Sequence, residues 1–145
     1  MRKGHYFLIP VFTVLSVLSS CKTQKDVLVE PIENFTGTWK ISKLLRNQED
    51  ITQWVNLAGF KLELRSDNSF TLENGNIPFL ADTDGTWAVD DPAYPFHLSL
   101  QAKDSASAKT GDLLAPVARG SRNMVITFSP GCSANKYVYT LEHAQ

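Results

Sequence analysis

Cys21 is the residue with the most chemistry within reach. It ends the run Leu18-Ser19-Ser20-Cys21, an aliphatic residue, two small residues and a thiol. A thiol presented at a membrane surface accepts a diacylglyceryl group as a thioether. Small side chains at Ser19 and Ser20 let a peptidase cut just before the cysteine. The new α-amine is then open to a further acyl chain such as palmitate. Two or more buried chains make a stable anchor, each buried methylene adding about 0.8 kcal/mol. The plainer alternatives are a secretory signal with a chance cysteine, or an apolar start to an intracellular chain.

The remaining chemistry-bearing residues are sparse. Asp82-Thr83-Asp84-Gly85 hints at a calcium loop, but no bidentate glutamate follows at the required spacing. A solvated turn is the simpler reading, with Asp90 and Asp91 joining only if folding brings them in. His97 and His143 are the only histidines after Cys21, and no His-Glu-x-x-His or Cys-x-x-Cys spacing occurs. Neither a metal nor a cofactor is predicted. Glycoside hydrolysis needs two carboxylates across a cleft, whereas Glu63 and Glu73 alternate outward. No Gly-x-Ser-x-Gly or phosphate loop is present. Cys132 lies between Gly131 and Ser133 with no neighbouring cation to activate it. It reads as a turn or core residue, with a reactive thiol as the alternative. These residues predict no catalytic set and a non-enzymatic protein.

The elements that would position Cys21 are equally plain. Arg2, Lys3 and His5 precede the apolar run Tyr6 to Leu18. That run is short of the ~20 residues of a membrane span and fits a signal-peptide core. With Cys21 it forms the pattern of the bacterial lipobox. Residues 1–20 are thus expected to be a lipoprotein signal peptide, and residues 21–34 a lipidated cysteine and tether. The tether contains Pro31 and lacks sustained periodicity. Residues 35–145 form one domain by size. The expected location is the cell envelope, lipid-anchored at the outer membrane. Lys22, Lys25 and a lone Asp26 leave the membrane face open. Removing Arg2 and Lys3 leaves 12 basic against 15 acidic side chains. No basic stripe occurs, so nucleic acid is not an expected partner. With Cys21 lipidated, Cys132 has no disulfide partner, and the fold must rest on core packing.

From Thr36 onward the pattern has period two. Trp39, Ile41 and Leu45 alternate with Lys40, Ser42 and Leu44. Further alternating runs lie around residues 60–65, 70–73, 87–89, 96–101, 124–128 and 137–141. Residues 77–81 read as a short edge strand containing Pro78, residues 102–111 as a loop, and 113–117 as a weak strand. Ile51, Trp54, Val55 and Leu57 could share one face of a short helix over 49–57. About eight strands at short spacing predict an all-β, antiparallel up-and-down barrel.

Particular residues carry a family resemblance: Gly37-Thr38-Trp39-Lys40-Ile41, a second Gly85-Thr86-Trp87, Tyr94-Pro95-Phe96 after an acidic turn, and Phe128-Ser129-Pro130-Gly131-Cys132 before Tyr137-Val138-Tyr139-Thr140-Leu141. The stretch from Phe35 to Glu142 resembles the lipocalin-like domains of unknown function found in Bacteroidetes outer-membrane lipoproteins. The resemblance implies a barrel whose first-strand tryptophan, Trp39, plugs the closed end. It also implies an arginine near the last strand stacked over that ring. Lys136 stands there, and Arg119 and Arg122 precede the penultimate strand.

Trp39, Phe60, Phe70, Trp87, Phe96, Tyr137 and Tyr139 are the candidate inward aromatics. An eight-stranded barrel is either filled by side chains or wide enough for one small ligand. Both outcomes stay open. Trp54 and Tyr94 read first as packing residues, with stacking on a sugar ring as the alternative if they are exposed. The expected role is binding a small apolar or glycan ligand, or a protein partner at the outer membrane. The alternative is a filled-barrel accessory subunit of an uptake complex.

Overall fold

A computed structural model describes residues 35–118 and 120–144. The signal segment, Cys21 and the tether lie outside the described residues. The strands are β1 (Gly37–Arg46), β2 (Glu49–Asp50), β3 (Lys61–Leu64), β4 (Ser69–Glu73), β5 (Gly85–Val89), β6 (His97–Ala102), β7 (Lys109–Leu114), β8 (Val117–Ala118), β9 (Ser121–Arg122), β10 (Met124–Phe128) and β11 (Tyr137–His143). Neighbours run β1-β3-β4-β5-β6-β7-β10-β11, all antiparallel, and β11 pairs back onto β1. Eight strands therefore close a barrel, which removes exposed sheet edges. The β2 strand is a two-residue addition to β1, and β8–β9 is a small separate hairpin.

One rim, the entry end, receives the chain at Phe35 and releases it at His143. It also carries the β3–β4 and β5–β6 turns and residues 115–123. The opposite end carries the β1–β3, β4–β5, β6–β7 and β10–β11 connections. The alternating strands send one set of side chains inward. Trp39, Leu62, Leu98, Met124, Ile126 and Leu141 lose all contact with solvent. No buried polar or charged residue occurs among the described residues.

The structure corrects several expectations. In β1 the inward set is Trp39, Ile41 and Leu44, not Leu45. The register on β11 shifts between Ile41 and Lys43, leaving Ser42 as an extra residue. This β-bulge inverts the alternation that follows it. Residues 49–57 form no α-helix. They form β2 and two single 3-10 turns, Thr52–Trp54 and Leu57–Gly59. The backbone there bonds mainly to β1 and to side chains, with only single-turn bonds of its own, such as Trp54 N–H to the Ile51 carbonyl. Ile51 N–H donates to the Leu44 carbonyl at 3.0 Å, and the Thr52 hydroxyl accepts from Leu44 N–H at 3.0 Å. Nine residues that include two β-branched side chains ahead of Trp54 cannot offset such competition.

Residues 77–81 are not a strand. They leave the wall and enter the barrel from the opposite end. Ile77, Phe79, Leu80 and Ala81 are buried there. The Phe79 ring meets Phe60 edge-on at 4.9 Å and Tyr139 at 5.3 Å between centroids. The Tyr139 hydroxyl donates to the Pro78 carbonyl. Room for this plug comes from the β4–β5 seam, which has only two paired positions. Past that seam, the Asp84 carboxylate accepts the Leu72 N–H at 2.9 Å, in place of a strand carbonyl. The presumed loop 102–111 is shorter than expected, because β7 already begins at Lys109. Gly111 lets Ile126, Thr127 and Leu80 approach its Cα face closely.

Gly85 opens β5 against Ala102, and a Cβ there would lie 1.9 Å from the Gln101 carbonyl oxygen. Backbone on both sides leaves nothing to yield. Gly85→Ala is expected to destabilise the domain by about 3 kcal/mol, the upper end of overpacking costs. Urea unfolding checks this, and an unchanged midpoint would show that β5 and β6 can part without loss.

Candidate functional site

The barrel interior is the first place to look. Trp39, Phe60, Phe70, Trp87 and Tyr139 are buried there, and Tyr137 is half-buried at its edge. They pack on one another and on the plug. A ligand inside would have to displace residues 77–81. Phe96 stands apart: it is 63 % exposed, just before β6 on the entry rim. Burial holds the Tyr139 phenol protonated by pushing its pKa up, which keeps it a donor to Pro78.

The entry end is sealed by Trp39. Its Nε1–H donates to the Phe35 carbonyl at 2.9 Å, and its ring lies against the His143 imidazole, centroids 3.8 Å apart. His143 thus fills the stacking position implied for an arginine. Lys136 is at the opposite end, its N–H bonded to the Asn47 side chain. Gly37 adopts φ +126°, and a Cβ there would press on His143. The register of β11 on β1, which places His143 opposite Trp39, sets this pairing and is not displayed by the sequence pattern.

The acidic turns are structural. Asp84 ties the β4–β5 seam. Asp82 faces Lys109 at 3.8 Å beside an open depression of about 220 Å³. Among the described residues, no group of three or more His, Cys, Asp or Glu side chains is arranged to hold a metal ion. Asp91 accepts from Ala93 N–H. Asp90 accepts from the His97 ring at 2.7 Å and from the His97 and Phe96 N–H groups. Those bonds, the His97 side chain first, hold the Asp90 carboxyl far below the usual carboxylate range. A depressed folded pKa contributes stability above the unfolded value of about 3.9, lost as pH falls through the folded value. The Phe96 and His97 amide signals are therefore expected to hold their positions through pH 4 and move only in stronger acid. An NMR titration with a midpoint near 4 would show that these bonds do not form in solution. Cys132 is free and exposed in the β10–β11 turn.

The outer surface holds a groove at Trp54. The bulge at Ser42 sends both Ser42 and Lys43 outward, side by side. Lys43 Nζ lies 3.5 Å from Asp50 Oδ2. Asp50 Oδ1 accepts the Thr52 N–H at 3.0 Å, and the Thr52 bonds lower its pKa. These bonds, with Thr52 locked to Leu44, fix the turn that carries Gln53 and Trp54. Ile51, Val55 and Leu57 pack on the core, whereas Trp54 is 74 % exposed. Ser42, Lys43, Asp50, Thr52, Gln53 and Trp54 line the groove. It combines a flat aromatic face with a carboxylate, an ammonium and an amide. Such a set stacks on the apolar face of a sugar ring and hydrogen-bonds its hydroxyls. The sequence offered Trp54 as a sugar-stacking ring only as an alternative to packing with Ile51, Val55 and Leu57; its exposure corrects the shared face, and its polar neighbours depended on a bulge that sequence pattern does not display.

The family described as "Domain of unknown function (DUF5004)" matches residues 19–142. No curated protein and no solved structure matches the chain.

Proposed function

The chain belongs to the family described as a domain of unknown function, DUF5004, and on that footing we propose a non-enzymatic, lipid-anchored protein of the bacterial cell envelope that binds glycan at its surface. The anchor is Cys21 and the site is the Trp54 groove. The observation that carries the reading is Trp54 itself, a large apolar ring left in solvent on a turn held by side-chain bonds. Large aromatics are usually buried, so a rigidly displayed one marks a contact surface. The filled barrel favours the outer surface over the interior as the binding place. The leader, lipobox and tether support anchoring in the outer membrane.

Trp39 and Trp87 are buried, so quenching by acrylamide reports chiefly on Trp54. An oligosaccharide that binds should protect Trp54 from the quencher and shift its emission to the blue. Trp54→Ala, which removes the fluorescent probe and is read by titration calorimetry, is expected to weaken that affinity by about tenfold or more, equal to ~1.4 kcal/mol. A panel of envelope and dietary oligosaccharides that leaves Trp54 fully quenchable would defeat the glycan reading. The packed core also suits an accessory subunit of an outer-membrane uptake complex. In that case an intact membrane protein, and no sugar, would protect Trp54.

A further inference from the structure

Four large apolar side chains are left exposed on the entry rim. They are Tyr94 (50 %), Phe96 (63 %), Leu114 (64 %) and Val117 (63 %). Their positions are linked. Tyr94 and Phe96 lie on the β5–β6 connection, and Leu113 N–H donates to the Phe96 carbonyl at 2.7 Å. This bond sets Phe96 beside the end of β7, where Leu114 points outward. Val117 begins the β8–β9 hairpin, which joins the end of β7 to the start of β10 and is closed at its base by Asn123 N–H on the Pro116 carbonyl. The four side chains therefore project from neighbouring connections at one end of the barrel.

The same end receives the chain. Phe35 closes it beneath Trp39, and 13 residues separate Phe35 from Cys21 in the sequence. Fully extended, that length spans at most about 50 Å. An anchor at Cys21 therefore joins the barrel at this rim, the end opposite the Trp54 turn and Cys132. We propose that the entry rim rests on the phospholipid surface through Tyr94, Phe96, Leu114 and Val117; the proposal rests on the lipid-anchor reading. Tyrosine suits this position, its ring in the boundary region and its hydroxyl among headgroups. The loops of this end carry Asp67, Asp90 and Asp91 against Arg65, Arg119 and Arg122 in the sequence. With the two signs balanced, the exposed apolar side chains rather than net charge would make the contact, which suits a zwitterionic surface. Docking through this rim leaves the groove at Trp54, near the opposite end of β1, facing away from the bilayer.

The test uses the full lipidated chain reconstituted in phosphatidylcholine vesicles. Cys132 is an existing label site at the opposite end. Val117→Cys in a Cys132→Ser background supplies one on the rim. A polarity-sensitive dye at position 117 is expected to be quenched several-fold more by nitroxide-bearing lipid than the same dye at Cys132. Phe96→Asp with Leu114→Asp should lower that quenching. Equal, weak quenching at both positions on vesicle-bound protein would overturn the docking and leave the anchor standing. Dye at 117 shielded from water but untouched by the lipid quencher would assign the rim to a second protein copy, and also overturn it. A chain that does not float with vesicles, and whose N-terminal peptide lacks the thioether mass, would remove the anchor and the docking together.

Discussion

Phe79→Ala is expected to lower stability by about 3–5 kcal/mol, the usual cost of truncating a buried aromatic. Against a typical domain stability of roughly 5–15 kcal/mol, this is a large share. The reason is geometric. Phe79 is 3 % exposed and meets Phe60, Phe128 and Tyr139 edge-on inside the barrel. Removing it leaves a dry space walled by aromatic rings, because the strands around it are hydrogen-bonded in place and cannot collapse inward. The variant should melt roughly 15 °C lower, given several degrees per kcal/mol for a domain of this size. It should also gain affinity for small apolar molecules that wild type excludes, since empty apolar cavities stay dry and bind such guests. Calorimetry with and without benzene reads both effects. An unchanged melting temperature would mean that residues 77–81 do not occupy the barrel in solution.

Trp39→Ala is expected to cost a comparable ~3–5 kcal/mol, through a different set of contacts. It removes the fully buried indole, its bond to the Phe35 carbonyl and its stacking on His143. Phe35 is itself wholly buried, so the first turn of the domain should fray with it. Hydrogen exchange at the start of β1 and end of β11 is the readout. Trp39→Phe keeps most of the ring but leaves a buried carbonyl without its donor, a loss of about 1–3 kcal/mol. A double-mutant cycle with His143→Ala should show ~0.5–1.5 kcal/mol of coupling, the range for paired rings. Absence of coupling would reduce the His143 contact to chance proximity.

Strand alternation made most of the barrel legible, because inward and outward residues differ in polarity at every second position. The runs at 124–128 and 137–141 are clear cases, with Met124, Ile126, Tyr139 and Leu141 buried. Four features escaped for physical reasons. A bulge adds one residue without changing composition, so Leu44 and Leu45 could not be told apart as inward and outward. Ile77-Pro78-Phe79-Leu80-Ala81 is apolar throughout, which suits a buried strand and a buried plug equally. Residues 51–57 show helical spacing, but bonds to Leu44, nonlocal in sequence, decided their backbone. Phe96 follows the parity of Leu98 and Leu100 yet lies before the strand, where no opposite wall covers it. Of the candidate site, Trp54 was visible and its polar fringe was not.

The pairing of β1 with β11 joins the first strand of the domain to its last, across roughly a hundred residues of chain. A chain made or threaded from its N-terminus therefore carries β1 with one edge unpaired until residues 137–143 arrive. Until then Trp39 lacks its lid, and the sheet has two open edges able to pair with a neighbouring chain. Loss of a few C-terminal residues would thus act at the other end of the domain's sequence, freeing the start of β1. Closure of the last seam, rather than formation of any one hairpin, should set the folding rate of this barrel, as expected where contacts are remote in sequence.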